Sequence, residues 1–492
     1  MNKKQLLSLA AAALIGASQS FAAVEYWVSP SGSDDNKGTQ AEPFATPEMA
    51  ILMVKDNEET IIHLEKDATF MMAGQLNLGD NKLCTIEGDN TTLKGAEKPG
   101  FEGGEAMRIF RAADNSKVTL RGLNFVNGRQ VEYVLGGAIY FAGEELWVDQ
   151  CRFIDNEAGS CGAAIGSRGH IVRVTNSYFE HNYIIGGGAR GAAIMQRGPE
   201  SLDGELYVDN CTFYKNSLDQ GGQGYCISIY DPSSQEGVNF AGCKKLQVTN
   251  STFVENTSKD NYQACIDISD PSECEAIIAN NTFYNNDGVL RIYYQQQPVY
   301  MFNNFAYCNR ACVLSECSIA DTDRTAITAH NNIFYGAERS VNENMDDPDF
   351  NTNAAAAHNT MGLCKDATMT ALGVSTTLGT RDEAFVPFLP ILRDNSPLVN
   401  AGIDNSSEWL APNVIPATDC RGYYPADKVR NDVGAYEYGA VFDPDEVAVE
   451  VVDVDNIDAP VEYFNLQGMR VNNPSNGIFI RRQGNKATKV RL

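Results

Sequence analysis

Apolar and polar positions alternate along most of this chain in short runs, and the runs recur. WVDQCRF, VTNSYF, VDNCTF, VTNSTF and IANNTF each end a β-prone stretch on a phenylalanine: Phe153, Phe179, Phe213, Phe253 and Phe283. Each of these is followed by the phrase's asparagine, at Asn156, Asn182, Asn216, Asn256 and Asn286. Degenerate copies stand at Phe125, Phe305 and Phe334, and the steps run from 22 residues (Phe283 to Phe305) to 40 (Phe213 to Phe253). A second short run follows most copies, as Gly136-Gly137-Ala138-Ile139-Tyr140, Gly162-Ala163-Ala164-Ile165, Cys226-Ile227-Ser228-Ile229-Tyr230 and Cys265-Ile266-Asp267-Ile268-Ser269. A unit of this size cannot bury its apolar face alone. Short strands without a helical period between them predict a solenoid of β-coils. The expected fold is therefore all-β, a right-handed parallel β-helix, with loops of unequal length leaving its corners.

The pattern also assigns the columns. Asn176, Asn210, Asn250, Asn280 and Asn331 each precede a repeat phenylalanine by three positions. Asparagine tolerates a left-handed corner, and stacked amides can bond from coil to coil. The Asn-x-Thr phrases at Asn250 and Asn280 then read as ladder positions and not as glycosylation signals. The phenylalanines read as a stacked core. Of the 13 cysteines, Cys151 and Cys211 share one place in the repeat and Cys226 and Cys265 another. Equivalent places in successive coils stack, so most cysteines read as small ladder residues, and the odd total leaves at least one thiol outside any disulfide.

Taken in order, Lys3-Lys4, an apolar run from Leu6 to Ile15 and Ser20-Phe21-Ala22 have the form of a secretory signal over 1–22. No later run is long and apolar enough to predict a membrane-spanning helix. Residues 23–115 are expected to form an N-terminal cap and the first coils. There Thr46-Pro47-Glu48 opens a helix to about Asn57 that covers the first coil's open edge. Residues 116–340 are the β-helix core, 341–440 the closing coils and cap, and 441–492 a small β-module. The net charge of −26 argues against nucleic acid as a partner.

Several stretches resemble known families. The opening at residues 26–34 is similar to that of secreted bacterial pectate-lyase-like β-helix proteins. Gly136-Gly137-Ala138-Ile139 and the Phe-x-x-Asn copies resemble the repeats of polymorphic outer membrane proteins, which implies a surface β-helix or adhesin. Asn395-Ser396-Pro397, Asp419-Cys420-Arg421-Gly422 and Asp432-Val433-Gly434-Ala435-Tyr436-Glu437 resemble the closing motifs of β-helix proteins of the choice-of-anchor type, where the acids make local fold contacts. Tyr463 to Val471 and Asn476 to Ile480 read as two hairpin pairs. They resemble the C-terminal sorting modules of secreted Bacteroidetes and Fibrobacter proteins. That resemblance implies secretion or display at a Gram-negative cell surface through an outer-membrane export or attachment machinery.

Chemistry must come from the coil surface. In Cys265-Ile266-Asp267-Ile268-Ser269 the isoleucines point inward, so Asp267 and Ser269 point out. The same register gives one outward column of Tyr140, Gly166, Met195, Ser228, Asp267 and Arg291. Its neighbour is Ala142, Arg168, Arg197, Tyr230, Ser269 and Tyr293. Arginine forks a carboxylate and tyrosine stacks on a sugar ring, so the partner expected here is an acidic polysaccharide. Arg197, Arg168 and Tyr230 are the candidate catalytic residues for β-elimination. Arg291, Tyr293, Asp267 and His170 are the candidate substrate-binding residues. Asp231, Asp267 and Asp270 are the candidate ligands for a Ca2+ cofactor. The polygalacturonase signature of successive coils is missing. Two readings therefore stand: a polysaccharide-binding protein acting as a uronate lyase, or a non-enzymatic adhesin.

Overall fold

The structure is a computed structural model that describes residues 23–95, 107–130, 135–185, 190–199, 203–218, 224–230, 242–258, 264–269, 274–292, 297–310, 313–315, 327–337, 358–381, 384–403, 415–425, 430–440, 461–464, 471, 478–483 and 486–491. The chain divides into two units, Met1–Gly439 and Ala440–Leu492.

The first unit is a right-handed parallel β-helix. A typical coil gives two strands to a long bent sheet, such as Glu145–Asp149 and Arg152–Ile154. It adds a two-residue strand such as Glu157–Ala158, and then a strand such as Ile165–Ser167 to a nine-stranded sheet. The bend within each pair turns on one left-handed residue: Gly122 (φ 65°), Gln150 (54°), Asn176 (51°), Asn210 (54°), Asn250 (50°), Asn280 (55°), Asn303 (53°) and Asn331 (55°). Asparagine takes this corner because its short amide tolerates the left-handed region. The amides also bond between coils, Asn210 Nδ2 donating to Asn176 Oδ1 at 2.5 Å and Asn303 Nδ2 to Asn280 Oδ1 at 3.0 Å.

Inside, the phenylalanines form the expected stack. Phe125, Phe153, Phe179, Phe213, Phe253 and Phe283 have ring centroids 4.6 to 5.0 Å apart and planes within 10° of parallel. Phe305 does not continue it. Thr282 pairs with Phe305 and Phe283 with Ala306, and Ala306 pairs in turn with Phe334. A shift of one residue turns a side chain to the opposite face of a strand. Phe305 therefore points outward and is buried with Met369, Leu372 and Val433 of the closing segment.

The asparagines of the Phe-x-x-Asn phrase form a second, fully buried ladder. Asn156, Asn182, Asn216 and Asn256 each donate Nδ2 to the Oδ1 of the next, through to Asn286, at 2.9 to 3.0 Å. The same nitrogens donate back to Phe125, Phe153, Phe179 and Phe213 carbonyls. A third ladder holds the cysteine place: Cys151 N donates to Ser177 Oγ, Cys211 N to Ser251 Oγ, and Ser251 N to Asn281 Oδ1. No disulfide joins the described cysteines. Burial pushes the Cys151 thiol up to about 12, so it packs as a small neutral group.

The first helix is shorter than expected. It runs over Pro47–Leu52, with Thr46 Oγ1 accepting from Met49 N, and buries Pro47, Ala50 and Ile51. Beyond it, Lys82 Nζ takes the Val54 carbonyl at 2.8 Å and Asp56 at 2.6 Å, next to a left-handed Asn57. In the closing segment Arg421 donates to Asp419, to the Tyr436 hydroxyl and to the Glu437 carbonyl, and both Glu437 carboxyl oxygens accept from Asp432 N. Ala435 N reaches Thr282 Oγ1 and Gly434 N reaches the Asn303 carbonyl, which fixes the segment to the coils.

The described part of the second unit is one antiparallel sheet of three strands, Val461–Phe464, Ile478–Gln483 and Lys486–Arg491, rather than two separate pairs. The central strand bonds to both neighbours. Among the described residues no helix is long and apolar enough to cross a membrane.

Candidate functional site

The nine-stranded sheet carries the candidate chemistry. Its strands include Phe110–Ala112, Ile139–Phe141, Ile165–Ser167, Ile194–Gln196, Ile227–Tyr230, Ile266–Ser269 and Leu290–Ile292. The isoleucine-bearing positions face the core, and the middle residues face outward in strict register. That column reads Arg111, Tyr140, Gly166, Met195, Ser228, Asp267, Arg291, so the outward column inferred from alternation is the one formed.

Outward does not mean solvated here. Met195, Ser228, Asp267 and Arg291 are all buried. The cover comes from the chain that enters each strand, where Gly136, Gly162, Gly191 and Gly224 take positive φ and fold the segment over the next coil. A Cβ on Gly166 would stand 2.4 Å from Gly136 N, and one on Gly224 would stand 2.5 Å from Asp267 Cβ. The small residues of the repeat therefore let backbone lie directly on the sheet. Leu135, Cys161 and Met195 make a small apolar cluster in that cover, with Tyr140 packed against it.

Asp267 is the centre of the polar part. Ser228 Oγ donates to it at 3.1 Å, Arg291 stands 3.0 Å away and Arg190 3.6 Å. A fully buried carboxylate needs such partners, because an isolated one would be strongly penalised. At the other end Arg108 donates to the carbonyls of Gly136 and Leu135 and to Gln75, with its guanidinium 5.1 Å from the Tyr140 ring centroid. Burial lowers the Arg108 pKa to about 10, which still leaves it charged at neutral pH.

Arg168 and Arg197 follow the ends of adjacent strands. Arg168 N donates to the Phe141 carbonyl at 2.8 Å and Arg197 N to the Ser167 carbonyl at 3.0 Å, so the two occupy equivalent places in successive coils. Both side chains are half-buried. Arg197 is close enough to Cys161 to favour its thiolate, although burial dominates and raises that thiol. His170 lies at the turn after Arg168, half-buried, with its carbonyl accepting from Glu205 N. Tyr230 pairs with Ser269 in the backbone, while its side chain lies outside the described residues. Tyr293, Asp231 and Asp270 also lie outside them.

The structure thus joins Asp267 to Arg291 directly and sets Arg168 beside Arg197 in the fold. It adds Arg190 and Arg108, which the sequence reading did not single out. Leu135, Cys161 and Arg190 bridge one another as a row just before the Gly-Ala-Ala-Ile runs, and that shared place was the available signal for Arg190. A calcium ion at Asp267 would stand against the guanidinium groups of Arg190 and Arg291, so the described donors do not suit a divalent cation. Among the described residues no group of three His, Cys, Asp or Glu is placed to hold a metal ion.

Residues 53–244 match the family model for a right-handed β-helix region. Similar solved structures include a pectate lyase, Pel9A, at 13% identity over 85% of this chain and 97% of that one, with a TM-score of 0.33. A rhamnogalacturonan lyase is 15% identical over 64% and 70%, with a TM-score of 0.26. A GH136 lacto-N-biosidase from Eubacterium ramulus is 11% identical over 63% and 67%, with a TM-score of 0.29. These values support no transfer of activity. The search of curated proteins found no match.

Proposed function

We propose that this β-helix protein is exported to the cell surface and binds an acidic polysaccharide on the outward side of its nine-stranded sheet. One observation carries the reading. In a chain of net charge −26, the described residues of this face set Arg190 and Arg291 at Asp267 and carry Arg197, Arg108 and Arg111 farther toward the amino end of the same sheet. Guanidinium groups match carboxylates in geometry and keep their charge when partly desolvated. Arg168 extends the row along the solenoid axis. The basic-then-apolar opening and the acidic-then-basic tail support export and attachment.

The chemistry open to such a face is β-elimination on a uronate. Arginine neutralises the substrate carboxylate, and a base takes the proton from the adjacent carbon. The electron pair of that C–H bond becomes a C=C bond as the glycosidic C–O bond breaks, and the oxygen leaves with the departing chain. Arg197, Arg168 and Tyr230 are the residues proposed for these roles. A non-enzymatic adhesin is favoured instead by one feature, the use of Arg108, Arg190 and Arg291 on internal partners.

Purified protein offered uronic-acid polymers decides between these readings. Ultraviolet absorbance from an unsaturated product supports the lyase; retention on the polymer without product supports the adhesin. Arg197→Ala should weaken binding about tenfold or more, since a charge-assisted hydrogen bond contributes about 1.5–3 kcal/mol. Equal binding by the variant, with an unchanged thermal transition, removes Arg197 from the site.

A further inference from the structure

The long bent sheet has an outward face of its own, on the Glu145–Asp149 side of each coil. One column there runs Thr119, Trp147, Arg173, Tyr207, Gln247 in register. Toward the C-terminal end the column continues through Ile277 and Tyr300, which are packed with Ile403 and Ile415 of the closing segment. Among the described residues the earlier part has no such cover. Trp147 is 40% exposed, the one aromatic among the large hydrophobic side chains so exposed in the described residues. It lies in the middle of a sheet and not at a loop tip.

The indole is held in place. Its Nε1 donates to Thr175 Oγ1 at 3.1 Å, and Thr175 belongs to the following coil. That bond ties the ring to the neighbouring coil. Charged groups in opposite-sign pairs surround it. Arg173 Nε meets Glu145 at 3.2 Å, and Arg121 Nε meets Asp149 at 3.4 Å with its guanidinium 5.6 Å from the indole centroid. The rim is therefore balanced in charge but rich in both donors and acceptors. A balanced rim gives a polyanion no advantage, whereas hydroxyl groups can use both kinds of partner. A rigid aromatic plate with fixed polar groups at its edge costs little ordering on binding.

We propose that Trp147 and its rim form a second carbohydrate site, taking an uncharged, hydroxyl-rich polysaccharide. It stands on a different sheet from the arginine face and does not depend on the reading given to that face. Sugar rings stack on the indole, while the half-exposed Glu145 accepts from their hydroxyls and Arg173 donates to them.

The test is affinity electrophoresis of the full chain through gels containing hydroxyethyl cellulose, xylan or galactomannan, with polygalacturonate as the charged comparison. At least one uncharged polymer should retard the protein, and added salt should change that retardation little. Trp147→Ala should lower the affinity about tenfold, while Trp147→Phe keeps part of it. Arg197→Ala should leave it unchanged. The thermal transition of each variant controls for folding. The proposal is overturned when no uncharged polymer retards the protein. Retardation that Trp147→Ala leaves intact overturns it as well, and so does a Trp147→Ala defect confined to polygalacturonate.

Discussion

Asn216→Ala removes one rung from the innermost amide ladder, and the structure allows the damage to be worked out bond by bond. The side chain makes four hydrogen bonds. Its Oδ1 accepts from Asn182 N at 3.1 Å and Asn182 Nδ2 at 2.9 Å; its Nδ2 donates to the Phe179 carbonyl and to Asn256 Oδ1, both at 3.0 Å. Alanine leaves two donors on Asn182 without an acceptor in a site with no access to water. The Asn216 backbone bond to Asn256 Oδ1 survives, so the following coil is less affected. Each orphaned buried donor costs about 1–3 kcal/mol, so the two together should lose roughly 2–6 kcal/mol. Asn309→Ala serves as the comparison, because that exposed amide makes one 3.1 Å bond to the Asn285 carbonyl and should cost under about 1 kcal/mol. Urea unfolding followed by far-ultraviolet circular dichroism measures both. Hydrogen exchange at the Asn182 amide should speed up in the first variant only. A loss for Asn216→Ala no larger than that for Asn309→Ala would refute the claim that the ladder stabilises the coils.

Phe213→Ala empties a fully buried place between rings 4.8 and 4.6 Å away and should cost about 3–5 kcal/mol; a loss under 1 kcal/mol in the same assay removes Phe213 from the stack. Glu437 gives a pH test. Burial, reinforced by the charges of Asp432 and Asp419, raises its carboxyl to about 9 from an ordinary 4.5. The folded state then holds a proton that the unfolded chain releases. The stabilisation is complete below about pH 4.5 and falls as pH rises toward 9. Glu437→Gln should flatten the decline in thermal midpoint across that window, and identical profiles would show that Glu437 is ionised in the fold.

Much of the solenoid was legible because its columns repeat. The phenylalanine stack, the left-handed asparagine corner and the outward column through Asp267 all follow from alternation and a shared phrase. What escaped has local physical causes. Phe305 carries the residue type of the stack, but the register places Ala306 there, and composition alone does not report a one-residue slip. Alternation tells which side of a strand a residue faces, but not what lies over it. The burial of Ser228 and Asp267 depends on glycines folding a remote segment across the sheet. Arg190 joins Asp267 from that segment, outside any strand pattern. The helix ends at Leu52, and the chain beyond it is held by Lys82, a partner from a later coil that no local signal marks. Nothing in the alternation sets Trp147 apart from other strand positions, because its exposure depends on what packs over the sheet.

The amide ladder also has a direction. Asn156, Asn182, Asn216 and Asn256 each point the side-chain nitrogen toward the Oδ1 of the coil that comes later in the chain, and their backbone N–H groups do the same. A coil is therefore not complete when its own residues are in place; it waits for an acceptor that its successor supplies. A chain emerging amino end first always presents an unanswered donor at its growing edge, and each arriving turn answers it while exposing the next. Growth from the other end would present acceptors, which tolerate being left open better than donors do. The two ends of this side-chain ladder are therefore chemically distinct, one left with donors and the other with acceptors.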